Sequence, residues 1–168
     1  MEEKTLLEAT LCFLIKDGYV ILAIKGRNIG KGLWNGYGGD IKPGETLVQA
    51  LIRELDEESE MQVLPEQIEK RAVVDFHNTK SDGSVFTCRV HVYFVHNWQT
   101  MPKSTIEMKY PRPFPFDALP LRRMLPADRI WLPLVLAGKK ITAEAWYGPF
   151  QKGLLREVIV KEVDSLPN

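Results

Sequence analysis

The sequence lacks the marks of a membrane protein, a polyanion binder or a disulfide scaffold. No apolar run approaches the roughly 20 residues that a bilayer span requires. Neither charge sign is in excess: 22 Lys+Arg stand against 22 Asp+Glu, a net charge of zero. Nucleic acid and anionic membrane are therefore excluded as principal partners, because such binders are basic overall. A locally charged pocket stays open. Cysteine is scarce: Cys12 and Cys88 lie far apart in apolar, strand-like surroundings, with no ligand spacing around them. They read as buried thiols in a reducing compartment. His77, His91 and His96 have no partner at metal spacing and read as ordinary strand residues. No basic segment leads into an apolar stretch near Met1, so the expected location is the cytoplasm.

What is present describes one domain over residues 1–168. Apolar residues make up 45% and charged residues 26%, enough to build a core without metals or disulfides. Residues 10–16 and 19–25 are β-rich runs joined by Asp17-Gly18, a hairpin signal, because a tight hairpin turn needs positive φ. Residues 26–44 hold seven glycines and little periodicity, which predicts a long structured loop. Strands are expected at 72–78 and 85–96, joined by the turn Ser81-Asp82-Gly83-Ser84, and again at 140–147 and 154–162. The proline-rich stretch 101–126 predicts extended edge segments and loops. Residues 127–138 predict a helix with Pro133 inside it and Gly138 at its end. The class is α+β, a mixed sheet with two helices packed on it.

The other helix signal is more informative. Thr46-x-x-Gln49 forms a capping box, which starts a helix running to about Met61. Five acidic residues crowd its second half: Glu54, Asp56, Glu57, Glu58 and Glu60. Acidic runs are usually solvated faces. At about 100° per residue, however, Leu47, Ala50, Leu51 and Leu55 define the core-facing arc. Glu54 and Glu58 fall inside that arc and Glu57 at its edge, while Gln49, Asp56 and Glu60 fall opposite. Buried like charges are costly without compensation. Carboxylates at i, i+3 and i+4 converge on one side and suit a hard cation such as Mg²⁺. Arg53 points elsewhere, and a Glu45–Arg53 ion pair would fasten the preceding loop to the helix, a structural role.

These residues carry a resemblance. Gly39-x5-Glu45-x7-Arg53-Glu54-Leu55-x-Glu57-Glu58 resembles the Nudix box, G-x5-E-x7-R-E-U-x-E-E-x-G-U with U apolar. Six fixed polar or glycine positions match in register, and Met61 suits the last apolar position. One position departs: the closing glycine is Glu60 here, which bears on how the helix ends. Leu33 to Gly39 is similar to the approach to the box in the MutT-related oxidised-purine nucleoside triphosphatases. Met124 to Leu134 is similar to the segment that closes over the base in the mammalian members. The resemblance covers most of residues 5–160 and implies the Nudix fold, a mixed β-sheet sandwiched between helices.

By resemblance, Glu54, Glu57 and Glu58 hold Mg²⁺ (Mn²⁺ is a substitute) with a backbone carbonyl at Gly38 or Gly39, and Glu107 joins them or is an exposed loop glutamate. Glu57 or Glu54 is the implied catalytic base, and sequence does not separate ligand from base in a jointly titrating cluster. Lys25 reaches the substrate, or is a solvated strand-end lysine. Asn35 and Asp128 hydrogen-bond the purine edge, with Trp131 beside them as a substrate contact or, as its ring alone reads, as a core aromatic. Where the mammalian members carry a stacking Trp and a first Asp, this sequence has Leu125 and Ala127. The implied partner is a small-molecule nucleotide; oligomeric state is not encoded legibly. The implied reaction is Mg²⁺-dependent hydrolysis of an oxidised purine nucleoside triphosphate to monophosphate and pyrophosphate, cleaning the nucleotide pool. Leu125 and Ala127 keep open a Nudix hydrolase of ADP-ribose or a dinucleoside polyphosphate. A non-catalytic nucleotide-binding module is the third alternative.

Overall fold

The computed structural model describes residues 3–168. Its first hairpin forms where Asp17-Gly18 predicts it, with both turn residues at positive φ. Strand β1 (Glu8–Lys16) pairs antiparallel with β2 (Tyr19–Lys25) on one side and parallel with β6 (Val85–Val95) on the other. β6 pairs antiparallel with β5 (Ile68–Thr79) through the predicted turn. β5 pairs parallel with β8 (Ile141–Tyr147), and β9 (Ile159–Glu162) closes that edge. The sheet is mixed, as expected.

Helix α1 (Leu47–Ser59) covers one face and α2 (Asp128–Leu136) the other. Leu51 and Leu55 of α1 pack against Cys12, Leu14, Tyr37 and Tyr93. Trp131, Leu132 and Val135 of α2 pack against Phe13, Val20, Val74 and Val92. Each layer satisfies the burial demand of one sheet face. Gly138, at φ 99°, follows the end of α2. Cys12 and Cys88 are both free and buried, and burial pushes the Cys12 thiol up.

Two expectations need correction. The glycine-rich stretch is not loop throughout: it contains β3 (Trp34–Asn35) and β4 (Tyr37–Asp40). β4 lies antiparallel on β1, and a Cβ at Gly38 would come within 2.0 Å of the Thr10 carbonyl oxygen. Close backbone approach, not alternation of apolar residues, makes this strand, so periodicity does not reveal it. The last strand is shorter than 154–162, with one isolated bridge at Tyr147–Leu154 before it. The proline-rich stretch does supply an extended edge segment: β7 (Met108–Pro115) pairs with β2 at the outer edge, past a register shift between Leu22 and Ile24.

α1 starts at its capping box, with Thr46 and Gln49 each bonding the other's backbone. It ends at Glu60, which adopts a left-handed conformation at φ 58°. The backbone keeps the shape a glycine would adopt freely, at a cost of about 1 kcal/mol for a residue with a Cβ. Glu60→Gly is therefore expected to raise the melting temperature by roughly 2–4 °C. The exposed Glu60–Lys103 pair that it removes contributes little. An unchanged or lowered transition in a thermal melt contradicts this.

Candidate active site

One cleft of about 760 Å³ runs across the sheet beside α1. Its first end is built by the β4–α1 elbow. Glu54 and Glu58 are buried and line the cleft, as the helical arc predicts. Glu57, one residue off that arc, is half exposed. Gly39 leaves room for Glu54, since a Cβ there would meet its carboxyl carbon at 2.7 Å. The Gly38 N–H donates to Glu58 Oε1 at 2.8 Å.

Arg53 does more than fasten the loop. It grips Glu45, with Nη2 to Oε2 at 3.0 Å, and donates to the Asp40 carbonyl. Its Nη1 also donates to Glu54 at 2.9 Å and to Glu57 at 3.3 Å. The expected Glu45–Arg53 pair forms, but the expectation that Arg53 points away from the acidic arc is corrected: the guanidinium lies across two of its carboxylates. Among the described residues no group of three or more His, Cys, Asp or Glu side chains is arranged to hold a metal ion.

The electrostatics show what these carboxylates lack. Burial first, then the neighbouring Glu54 and Glu107, raise the Glu58 carboxyl to about 8 against the Gly38 hydrogen bond. Burial also raises Glu54 to about 7, although Arg53 pulls it down. Two buried acids near each other, with burial outweighing the pull of Arg53 on one and of Lys25 on the other, fit a hard divalent cation through their oxygen donors.

The raised values make a pH prediction. A carboxyl ionising near 7 or 8 when folded, but near 4.5 when unfolded, binds more protons in the folded state between those values. Stability of the metal-free protein is then expected to fall as pH rises from about 4.5 to 8. Asp128, also raised, acts in the same direction; His91, lowered by burial, acts oppositely as a single group. Melts in chelator at pH 5.5 and 8.5 test this, and equal or greater stability at the higher pH refutes it.

Glu107 sits opposite α1, brought there by the close approach of Gly26 to the preceding carbonyl. Gly26 N–H donates to the Glu107 carbonyl at 2.8 Å, and Arg27 Nη2 pairs with the Glu107 carboxylate at 2.6 Å. Lys25, paired with Met108 across β2–β7, lines the cleft rather than extending into solvent. Burial lowers its pKa against the pull of Glu58, Asp128 and Glu107. The lysine thus stands between the acidic end and the floor of the cleft beyond it.

That floor contains Asn35 and Asp128. Asn35 Oδ1 accepts from Gly36 N–H at 2.8 Å, which orients the carboxamide. Asp128 is 2% exposed, and burial raises its carboxyl to about 7. Trp131 Nε1 donates to Asp128 Oδ1 at 3.0 Å. Of the two readings of Trp131, the core aromatic holds and the substrate contact is corrected. Its ring is fully buried, edge-on to Phe13, and is not part of the cleft wall. Its side chain positions Asp128 instead.

Leu125 lines the cleft and Ala127 does not; the Ala127 N–H donates to the Tyr147 hydroxyl at 2.8 Å. Phe76 both lines the cleft and stacks on Tyr147 at 5.9 Å. Sequence reasoning missed Asn78, Phe150 and Gln151, which wall the far end. Asn78 carries only its place at a strand end, and the turn after β8 carries no motif.

The NUDIX domain family matches residues 5–135. An oxidized purine nucleoside triphosphate hydrolase of Danio rerio is 35% identical over 131 residues, covering 78% of this chain and 80% of that one. The protein of the same name from Mus musculus is 34% identical over 157 residues, covering 93% and 95%. A MutT protein from Bacillus halodurans shares the fold with a TM-score of 0.74 at 21% identity, covering 92% of this chain and 97% of that chain. A MutT Nudix hydrolase from Burkholderia pseudomallei reaches 0.64 at 22% identity, covering 80% and 98%. Box, fold and relatives agree, and the chain belongs to the Nudix hydrolase family.

Proposed function

We propose that the cleft binds an oxidised purine nucleoside triphosphate and hydrolyses it to the monophosphate and pyrophosphate, a nucleotide-pool sanitising activity. The observation that carries this reading is a single cleft with buried carboxylates at one end, a polar base floor at the other and Lys25 between. The two relatives named for the same chemistry support it.

Glu54, Glu57 and Glu58, with Glu107 and the Gly38 carbonyl, are the residues that would hold Mg²⁺ or Mn²⁺. When bound, such an ion screens the polyphosphate and makes a coordinated water more acidic. Glu57 is half exposed and so is open to water, which makes it the candidate base; Arg53 and Lys42 beside it hold the side chain in place. Glu54, packed against Gly39, suits a ligand. Lys25 supplies fixed positive charge to the phosphates. Asn35 and Asp128 hydrogen-bond the base edge, and the burial of Asp128 sharpens its discrimination between bases.

The test is a hydrolysis panel with Mg²⁺ containing dGTP, 8-oxo-dGTP, 2-hydroxy-dATP, ADP-ribose and a diadenosine polyphosphate. Preferred release of monophosphate from an oxidised purine supports the reading. Preferred cleavage of ADP-ribose or the dinucleotide overturns it. That second reading is favoured by Leu125, which gives the cleft an aliphatic wall with no ring to stack on a base.

A further inference from the structure

The cleft does not end at Asp128. Beyond it the wall is formed by the end of β5 and the turn after β8, residues 148–153. Strand register sets Asn78 opposite Tyr147. The Tyr147 hydroxyl holds the backbone at Ala127, next to Asp128. Asn78 is 7% exposed, and its carboxamide is fixed at both ends. Its Nδ2 donates to the Phe76 carbonyl at 3.0 Å, and its Oδ1 accepts from Gln151 Nε2 at 2.9 Å.

The turn holding Gln151 is strained. Phe150 and Gln151 are consecutive residues with side chains, at φ 58° and 54°, in the left-handed region. Such a conformation persists where its surroundings enforce it, and it concentrates at sites that contact ligands. Here the enforcing contacts are Gly148 N–H to the Gly153 carbonyl, Gln151 N–H to the Gly148 carbonyl, and the Asn78 bond. The result presents a carboxamide to the cleft. Among the described residues, Gln151 Oε1 and its second Nε2 hydrogen have no protein partner. An amide with one free acceptor and one free donor complements a lactam edge, where a ring N–H adjoins a carbonyl. Oxidation at C8 creates such an edge on a purine. An unmodified purine presents there only the N7 acceptor beside a C–H, which leaves the Gln151 carbonyl facing a lone pair.

We propose that Gln151, oriented by Asn78, is a specificity-determining residue that reads the lactam edge of an oxidised purine at the far wall of the cleft. The inference rests on the nucleotide reading above and deepens it. Asn35 and Asp128 hold one side of the base, and Gln151 distinguishes the oxidised side from the normal one.

The test uses the full chain with Gln151→Ala and the near-isosteric Gln151→Glu, which keeps the shape but not the donor. Steady-state kinetics on 8-oxo-dGTP and dGTP are paired with calorimetric binding of 8-oxo-dGMP and dGMP without metal. The preference for the oxidised base is expected to fall about tenfold in each variant, the loss of one or two hydrogen bonds. The change is expected in KM and in monophosphate affinity, with kcat nearly constant. If the wild type turns over 8-oxo-dGTP but both variants keep its preference within twofold, the inference fails alone. An equal loss on both substrates also overturns it, because that is the signature of a wall that merely supports the fold. If the wild type hydrolyses no purine triphosphate, the nucleotide reading fails first and this inference with it.

Discussion

Replacing Glu58 with Gln is expected to lower Mg²⁺-dependent turnover about a thousandfold while making the metal-free protein more stable at pH 8. The two effects have one cause. Glu58 is buried, and burial with the adjacent Glu54 raises its carboxyl to about 8. The fold therefore tolerates this acid rather than profiting from it. Gln keeps an oxygen to accept from Gly38 N–H, so the β4–α1 elbow stays closed. What is lost is a negative oxygen for the cation. A transition-state contribution of about 4 kcal/mol corresponds to that thousandfold. Melts with and without Mg²⁺ provide a second readout: the ion should raise the transition of the wild type and leave Glu58→Gln unmoved. A variant that retains turnover within tenfold removes Glu58 from the metal set. Glu57→Gln distinguishes a different role. Its side chain is half exposed, so stability should stay the same while kcat falls. A protein that only binds nucleotides would keep its ligand affinity and show no rate to lose.

Trp131→Phe is expected to cost about 2–4 kcal/mol of stability and to blunt base selectivity at the same time. Trp131 is fully buried between α2 and the sheet. Phe leaves part of its volume empty, and the melting temperature should fall by roughly 5–15 °C. The indole N–H is also the donor that holds Asp128 Oδ1 and counteracts its upward shift. Without it Asp128 rises further and loses its fixed orientation at the cleft floor. KM for a purine triphosphate should rise more than kcat falls. Asp128→Asn separates the two effects, because its amide oxygen still accepts from Trp131 and no buried charge remains. It should melt at or above the wild-type temperature yet show altered preference among bases. If Asp128→Asn leaves preference among purines unchanged, Asp128 is a core residue rather than a base contact.

Several site features were readable from residue order because local physics determines them. The capping box positions α1, and 3.6-residue periodicity then rotates Glu54 and Glu58 inward and leaves Asp56 and Glu60 outside. Glu60 shows how far this holds: the helix ends where a glycine was missing, because tertiary contacts override a local conformational cost. Local rules reach less far for a single long side chain. Arg53 makes the pair with Glu45 that its spacing suggests, yet periodicity turns it away from Glu54 and Glu57, to which it also bonds. A flexible, forked cation settles by the charges around it, and those come from three separate segments.

The sequence alone determined the class of fold, the first hairpin, the start of α1 and the acidic arc along it, since each depends on residues within one or two turns of chain. Tertiary structure decided the rest. β4 exists because Gly38 and Gly39 let two backbones approach, which no alternation announces. Trp131 turned out to support Asp128 rather than to face the cleft, because helix α2 rotates its ring toward Phe13. Asn78 and Gln151 meet 73 residues apart only when β5 and β8 lie side by side. Contacts of that range are set by sheet register and packing, and no local pattern in the chain records them.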